Sequence, residues 1–120
     1  MRKWLLAAVL AALPASVQAM DVQTFLTKAE ALKGKGMFAM MSSDMSVLKS
    51  EIRTNAAALR AEADAAKAAG RPAPYCLPTP ANLNSDEILA SFRSIPEAQR
   101  PRTPVKEGLR NLFTHKYPCR

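Results

Sequence analysis

The sequence predicts an all-α protein, a small single domain of about four main helices held by one disulfide. Two observations support this fold class. Apolar residues recur at intervals of three and four along most of the chain, and no segment alternates at the period of two that is typical of a half-buried strand. Candidate helix caps stand where these stretches begin. A length of 120 residues suffices for one domain.

Residues 1–19 have the pattern of a secretory signal peptide. Arg2 and Lys3 form a short basic region, the stretch 4–13 is apolar, and small residues stand at the first and third places of 17–19, as a signal peptidase requires. The apolar stretch is shorter than the roughly 20 residues of a membrane span. We therefore expect cleavage near residue 20, with no transmembrane segment afterwards.

Export determines the compartment and the charge of the mature chain. We expect a periplasmic or secreted single domain over 20–120; an uncleaved anchor, or initiation at Met20 in the cytosol, is the alternative. Loss of Arg2 and Lys3 lowers the basic residues from 17 to 15 against 10 acidic ones, which gives a charge of about +5. Aromatic residues are few and not interleaved with Arg, so we expect no nucleic-acid binding. An acidic protein or an anionic envelope polymer fits this charge better.

The first helix is predicted over 21–33, with Asp21 as its N-cap and the Gly-Lys-Gly of 34–36 as its end. The apolar run 37–41 that follows is expected to form a buried turn or a short helix. Methionine thioethers can bind copper. The 3–4 spacing of the methionines at 37, 40, 41 and 45, with apolar neighbours, favours a place in the core instead.

The long helix is predicted over 44–69, with N-cap candidates Ser42, Ser43 and Asp44 and with Gly70 after its end. Its second half is rich in alanine, the strongest helix former. An alanine-lined helix end has little side chain to bury. We expect this end either to pack closely against another helix or to project from the domain.

Next comes the proline-rich loop, residues 71–81, which contains the sequence PAPYCLPTP. Prolines exclude helix interior and central strand, so Cys76 stands in a stiff connector. An exported chain with two cysteines allows one intramolecular pairing, between Cys76 and Cys119. Two separate thiols, or a bridge between chains, are the alternatives.

A C-terminal helix pair is predicted over 85–117. Asn84 caps its first helix, Thr103 caps its second, and Pro104 stands at the first helical position. The helical stripes predict one shared core. Its expected members are Phe25, Leu48, Ile52, Ile88, Leu89, Phe92, Leu109, Leu112 and Phe113.

Catalytic residue patterns are absent from the sequence. His115 is the single histidine and falls in the last turn of a helix, while Asp86 and Glu87 fall in a first turn, where carboxylates stabilise the helix dipole. No nucleophile, base and oxyanion site can be assembled from these residues. We therefore expect no enzyme, no cofactor and no metal site.

From residue 75 onward the chain resembles the Rap/Tai family, exported immunity proteins that neutralise amidase effectors of type VI secretion. Three short motifs carry the resemblance over 75–119: Cys-Leu-Pro at 76–78, Ile-Pro-Glu at 95–97 and Tyr-Pro-Cys at 117–119. It implies a helix pair tied by a disulfide to the preceding loop. The alanine-rich helix before Cys76 departs from the family pattern, and no inhibitory residue is carried over.

These observations predict an exported, non-enzymatic protein that binds another protein, in particular an immunity protein against a peptidoglycan amidase. Its candidate partners are an exported amidase effector, another acidic protein or a second copy of the chain. The alternative is a structural or stress-related envelope protein that binds anionic cell-wall or lipid groups. Two elements are candidate contacts: Tyr75, Leu77, Pro78 and Thr79 in the proline-rich loop, and Arg60, Lys67 and Arg71 at the end of the long helix.

Overall fold

The computed structural model of the chain describes residues 19–119. The predicted signal peptide, residues 1–19, lies outside the described residues except for Ala19. Helices alone make up the regular structure of the described part, so the predicted all-α domain is confirmed. In chain order they are α1 (Val22–Gly34), the 3₁₀ helix η1 (Gly36–Met41), α2 (Ser43–Ala68), α3 (Ser85–Arg93), the 3₁₀ helix η2 (Glu97–Arg102) and α4 (Val105–Lys116).

Three of the predicted N-caps are confirmed. Asp21, Ser42 and Asn84 each accept a hydrogen bond from a backbone N–H in the first turn of α1, α2 and α3. Such bonds satisfy donors that the helix itself leaves unpaired. The prediction for α4 is wrong by one residue, because Pro104 is the N-cap and the Thr103 hydroxyl donates to a carbonyl of η2 instead.

The starts of α1 and α4 lie side by side. Val22 donates its N–H to the Thr103 carbonyl at 2.8 Å, and Val105 donates to the Met20 carbonyl at 2.9 Å. Gly108 permits the close approach, since a Cβ there would lie 2.8 Å from a ring carbon of Phe92. These contacts fix α4 against α1 and α3.

The core lies where α1 and α4 meet the long helix α2 and where α3 packs against α4 and α1. Phe25 and Phe92 pack edge to face, with ring centroids 5.2 Å apart. Of the predicted core, Ile52, Leu89 and Leu112 are half-buried at its margin and the other six residues are buried. The buried core comprises Val22, Phe25, Leu26, Leu32, Leu48, Leu59, Ala63, Tyr75, Ile88, Phe92, Val105, Leu109 and Phe113.

The alanine-rich end of α2 packs rather than projects. Ala63 and Ala66 are buried, and α2 makes its most extensive helix contact with α4. Beyond them Gly70, at φ +71°, ends the helix, and the Arg71 N–H reaches back to the Ala66 carbonyl at 2.8 Å. A small side chain lets two helices approach closely, which explains the alanines.

Of the two forms expected for 37–41, the short helix is confirmed and the buried turn is wrong. The segment forms η1, the connector between α1 and α2, and its main contacts are with those two helices. Side chains three residues apart eclipse one another in a 3₁₀ helix, so the two turns of η1 together present three sides. Only the side of Ala39 faces the core. The other side chains of 37–41 are exposed; of the four methionines, only Met45 packs against the core.

Candidate functional site

The Tyr75 side chain turns inward from the proline-rich loop. It is fully buried, its hydroxyl donates to the Leu59 carbonyl of α2 at 2.8 Å, and its ring lies 5.8 Å from that of Phe113. Burial raises the pKa of Tyr75, so the phenol remains a neutral donor. The prediction that Tyr75 contacts a partner is therefore corrected: Tyr75 is a core residue that anchors the loop.

The predicted disulfide is confirmed. Cys76 and Cys119 are bonded, with their Cα atoms 5.0 Å apart, and the Cys76 N–H donates to the Tyr117 carbonyl at 2.8 Å. The loop is thus joined to the end of α4 by a covalent and a hydrogen bond. Leu77, another candidate contact, is half-buried against the core.

Arg60 brings the two predicted contact elements together. From α2 its guanidinium donates to the Pro78 carbonyl at 2.7 Å and to the Thr79 hydroxyl at 3.3 Å. Pro78 and Thr79 are exposed beside it. Lys67 and Arg71 are exposed further along, at the end of α2. Arg60 thus holds the loop against α2, whereas Lys67 and Arg71 are the more exposed cations of this surface.

An ion-pair network joins α2 to α4 near Tyr75. The Glu62 carboxylate lies 2.6 Å from Lys106 Nζ and 2.6 Å from an Arg110 guanidinium nitrogen, and Arg110 also pairs with Glu107. Hydrogen bonds from Lys106 and Arg110 lower the pKa of Glu62. At the far end of α4, a hydrogen bond from Lys116 likewise lowers the pKa of Glu87. Both carboxylates therefore form ion pairs between helices, Glu62 between α2 and α4 and Glu87 between α3 and α4.

The exposed apolar side chains are concentrated in η1. We call Met37, Phe38, Met40 and Met41 the apolar tip; these side chains are 93%, 75%, 81% and 86% exposed. With Ala39 turned to the core, eclipsing places Met37 over Met40 and Phe38 beside Met41 on the two outer sides. Val47, in the second turn of α2, is also exposed.

The connector that carries the apolar tip is fixed at both ends and flanked by cations. Gly36, at φ +56°, turns the chain out of α1, and Lys35 Nζ donates to the Ser42 hydroxyl at 3.3 Å. Lys28 on α1 pairs with Asp44 on α2 at 3.5 Å. Lys33 and Lys35 are exposed next to the tip. The sequence signal for this surface was the flanking of an apolar run by Lys-Gly-Lys-Gly, and sequence reasoning missed it.

The remaining chemistry of the described surface is sparse. A shallow open depression of about 370 Å³ contains Ser91, Ser94 and His115, but the His115 Nδ1 is 2.7 Å from the Asn111 carbonyl and engaged there. Across residues 19–119, no group of three His, Cys, Asp or Glu side chains could hold a metal ion. Binding of copper by the exposed methionine sulfurs of the tip can be measured by titration with Cu(I) under reducing conditions.

Comparisons of the chain with models of protein families, with curated proteins and with solved structures found no match. Among the described helices, none combines the length and the apolar character that crossing a membrane requires.

Proposed function

We propose that the chain is an exported, non-enzymatic protein that binds and inhibits a peptidoglycan amidase. The observation that carries the binding role is the apolar tip, where four large side chains are exposed within five residues. Contiguous exposed apolar surface is typical of interaction sites. Methionine and phenylalanine are enriched at the centres of protein interfaces, which favours a protein partner.

Burial of the apolar tip would supply substantial binding free energy. Complete burial of one Phe or Met side chain contributes roughly 1.5–3 kcal/mol. The connector is already fixed by Gly36 and by the bond from Lys35 to Ser42, so little order must be imposed on binding. Lys33 and Lys35 favour a groove with an acidic rim. They also disfavour a second copy of the chain, because a twofold interface at the tip would bring the same lysines together.

Inhibition by occlusion needs a rigid body that presents a protruding element to an active-site groove. The tip offers four exposed apolar side chains on the connector between two helices, and the resemblance of 75–119 to the Rap/Tai family supports the choice of an amidase. The signal-peptide pattern of 1–19 supports action outside the cytosol, where peptidoglycan amidases work. Pro78, Thr79, Lys67 and Arg71 form a second candidate contact surface.

Co-purification and rescue of growth test this proposal. The mature chain is expressed in the periplasm with the amidase encoded beside its gene, and we expect a complex and restored growth. A double variant, Phe38→Ser with Met40→Ser, should lose both while keeping its helicity and melting temperature, because the two side chains are exposed. Absence of a neighbouring amidase gene, or growth restored equally by the double variant, would contradict the proposal.

A matched control separates the two candidate surfaces. Thr79→Ser with Lys67→Gln alters exposed positions on the other surface and leaves the tip intact. If the tip is the contact, this variant should bind as the unmodified chain does. Loss of binding in the control alone would transfer the contact to the proline-rich loop and the end of α2.

The second candidate function is an envelope protein that binds anionic cell-wall or lipid groups. The exposed lysines beside the apolar tip favour it, since such a pair of features also suits an anionic bilayer surface. Sedimentation with vesicles of phosphatidylglycerol tests it. Binding that falls steeply with added salt, without any amidase complex, would replace the immunity function by this one.

A further inference from the structure

The methionines of the described chain fall into two groups. Met37, Met40 and Met41 in the apolar tip are among its most exposed residues. Met20 and Met45 are partly buried and pack against the core. The partly buried methionines therefore serve as an internal control for the exposed ones.

The shape of η1 leaves the three tip sulfurs open to solvent in the folded protein. Ala39 occupies the side that faces the core, and the methionines occupy the outer sides. A small oxidant can reach these sulfurs without any local unfolding. At Met20 and Met45, neighbouring core side chains restrict the approach.

We propose that Met37, Met40 and Met41 form an oxidation site, at which a peroxide converts the apolar tip into a polar one. The thioether sulfur attacks one oxygen of hydrogen peroxide, so that an S–O bond forms and the O–O bond breaks. The leaving hydroxide takes the proton of the transferred oxygen and departs as water. Each sulfur loses two electrons and the peroxide gains them, giving one sulfoxide and one water.

The consequence follows from the polarity of the product. A sulfoxide is polar and accepts hydrogen bonds, so oxidised methionines no longer favour burial in an apolar groove. The fold should be unaffected, because the three side chains contribute nothing to the core. Oxidation would thus abolish docking through the tip, and methionine sulfoxide reductases would restore it. This step rests on the proposed function, whereas the oxidation site itself does not.

Mass mapping tests the site. The folded mature chain, with its disulfide intact, is exposed to graded hydrogen peroxide, digested and analysed peptide by peptide. We expect one added oxygen on each of Met37, Met40 and Met41, severalfold faster than on Met20 and Met45. Far-UV circular dichroism and the melting temperature should not change. Equal oxidation rates at all five methionines, or unfolding that accompanies oxidation of the tip, would overturn the proposal.

Retention on a phenyl resin tests the change in the tip without any partner. Oxidised protein should elute earlier than reduced protein, and treatment with a methionine sulfoxide reductase should reverse the shift. The variant Met37→Leu, Met40→Leu, Met41→Leu keeps an apolar tip that cannot be oxidised, so its retention should not respond to peroxide. A peroxide response in this variant would refute the site.

The two proposals fail in different experiments. If the reduced chain does not bind the amidase, the proposed function fails, while the mass map and the resin still decide the oxidation site. If the reduced chain binds and the oxidised chain binds equally well, the function stands and the switch is refuted.

Discussion

The proline-rich loop and the apolar tip are the connectors at the two ends of α2, and they orient their apolar side chains in opposite directions. In the loop, Tyr75 is fully buried and the chain is joined to α4 by the disulfide of Cys76. In the tip, three methionines and Phe38 are exposed. Stiffness and an apolar composition therefore do not by themselves indicate which connector is buried. The packing surface available to each connector decides it.

The surfaces differ in a simple way. The loop passes the groove between α2 and α4, where the ring of Phe113 and the carbonyl of Leu59 receive Tyr75. The tip follows directly from α1 into α2 and has chiefly these two neighbours. A two-turn 3₁₀ helix that packs on two helices can bury one of its three sides. Exposed side chains in the tip therefore contribute little to the stability of the fold and are available for binding.

The largest expected effect is a contrast in stability between Tyr75→Ala and Phe38→Ala. Truncation of the buried ring should lower the free energy of unfolding by about 3–5 kcal/mol. Truncation of the exposed ring should stay within about 0.5 kcal/mol. Urea unfolding followed by circular dichroism measures both. Similar losses in the two variants would mean that the tip is packed after all.

Removal of the disulfide comes next. The double variant Cys76→Ser, Cys119→Ser should lose about 4 kcal/mol in the chain-entropy treatment of a loop of this length, while most helicity remains. The loss of stability should affect the proline-rich loop and the end of α4, which the disulfide joins, and the rate of peroxide oxidation in the tip should not change. Thermal unfolding with and without reductant measures it. Two free thiols in the unfolded, unreduced protein would contradict the bond.

A smaller effect isolates the hydroxyl of Tyr75. Tyr75→Phe keeps the ring against Phe113 but removes the donor to the Leu59 carbonyl. A loss of about 0.5–1.5 kcal/mol is expected, the ordinary net contribution of one hydrogen bond. The difference between this variant and Tyr75→Ala then measures packing alone. No difference between the two variants would show that the ring itself stabilises nothing.

The smallest effect is a pH dependence at the junction of α2 and α4. The pKa of Glu62 is lowered in the folded protein, so its ion pairs stabilise the fold fully at a pH above the ordinary pKa of 4.5. This contribution is lost as the pH falls through the lowered pKa of the folded state. Since the side chain is 44% exposed, Glu62→Gln should cost at most about 1 kcal/mol near pH 7. The cost should vanish in acid. Glu97→Gln, on η2, is the control. An equal cost of Glu62→Gln at pH 7 and at pH 3 would refute the ion-pair role of Glu62.

Prediction from the sequence was good where a residue's role depends on its near neighbours in the chain. The N-caps Asp21, Ser42 and Asn84 act within one turn, and Gly70 ends α2 by its own backbone conformation. Helical stripes likewise located six of the thirteen buried core residues, because the face of a helix follows from its period. The disulfide followed from a count of two cysteines together with the expectation of export.

The candidate site depended on contacts that spacing along the chain does not contain. Tyr75 lies in a proline-rich stretch that the sequence predicted to be a surface loop. It is buried because its hydroxyl donates to the Leu59 carbonyl of α2, 16 residues away in the sequence. The methionines had helical spacing, but a 3₁₀ turn distributes them around its axis. Glu62 lies on α2, but the cations that pair with it are supplied by α4.

Local hydrogen bonding and periodicity along the sequence were therefore enough to predict the helices, most of their ends and six residues of the buried core. A count of two cysteines named Cys76 and Cys119 as the one possible pair within the chain. The tertiary structure alone decided which connector turned inward. Burial is a property of the space between helices, and that space exists only once α1 and α4 are packed against α2. That packing buried Tyr75 and left the apolar tip exposed to solvent.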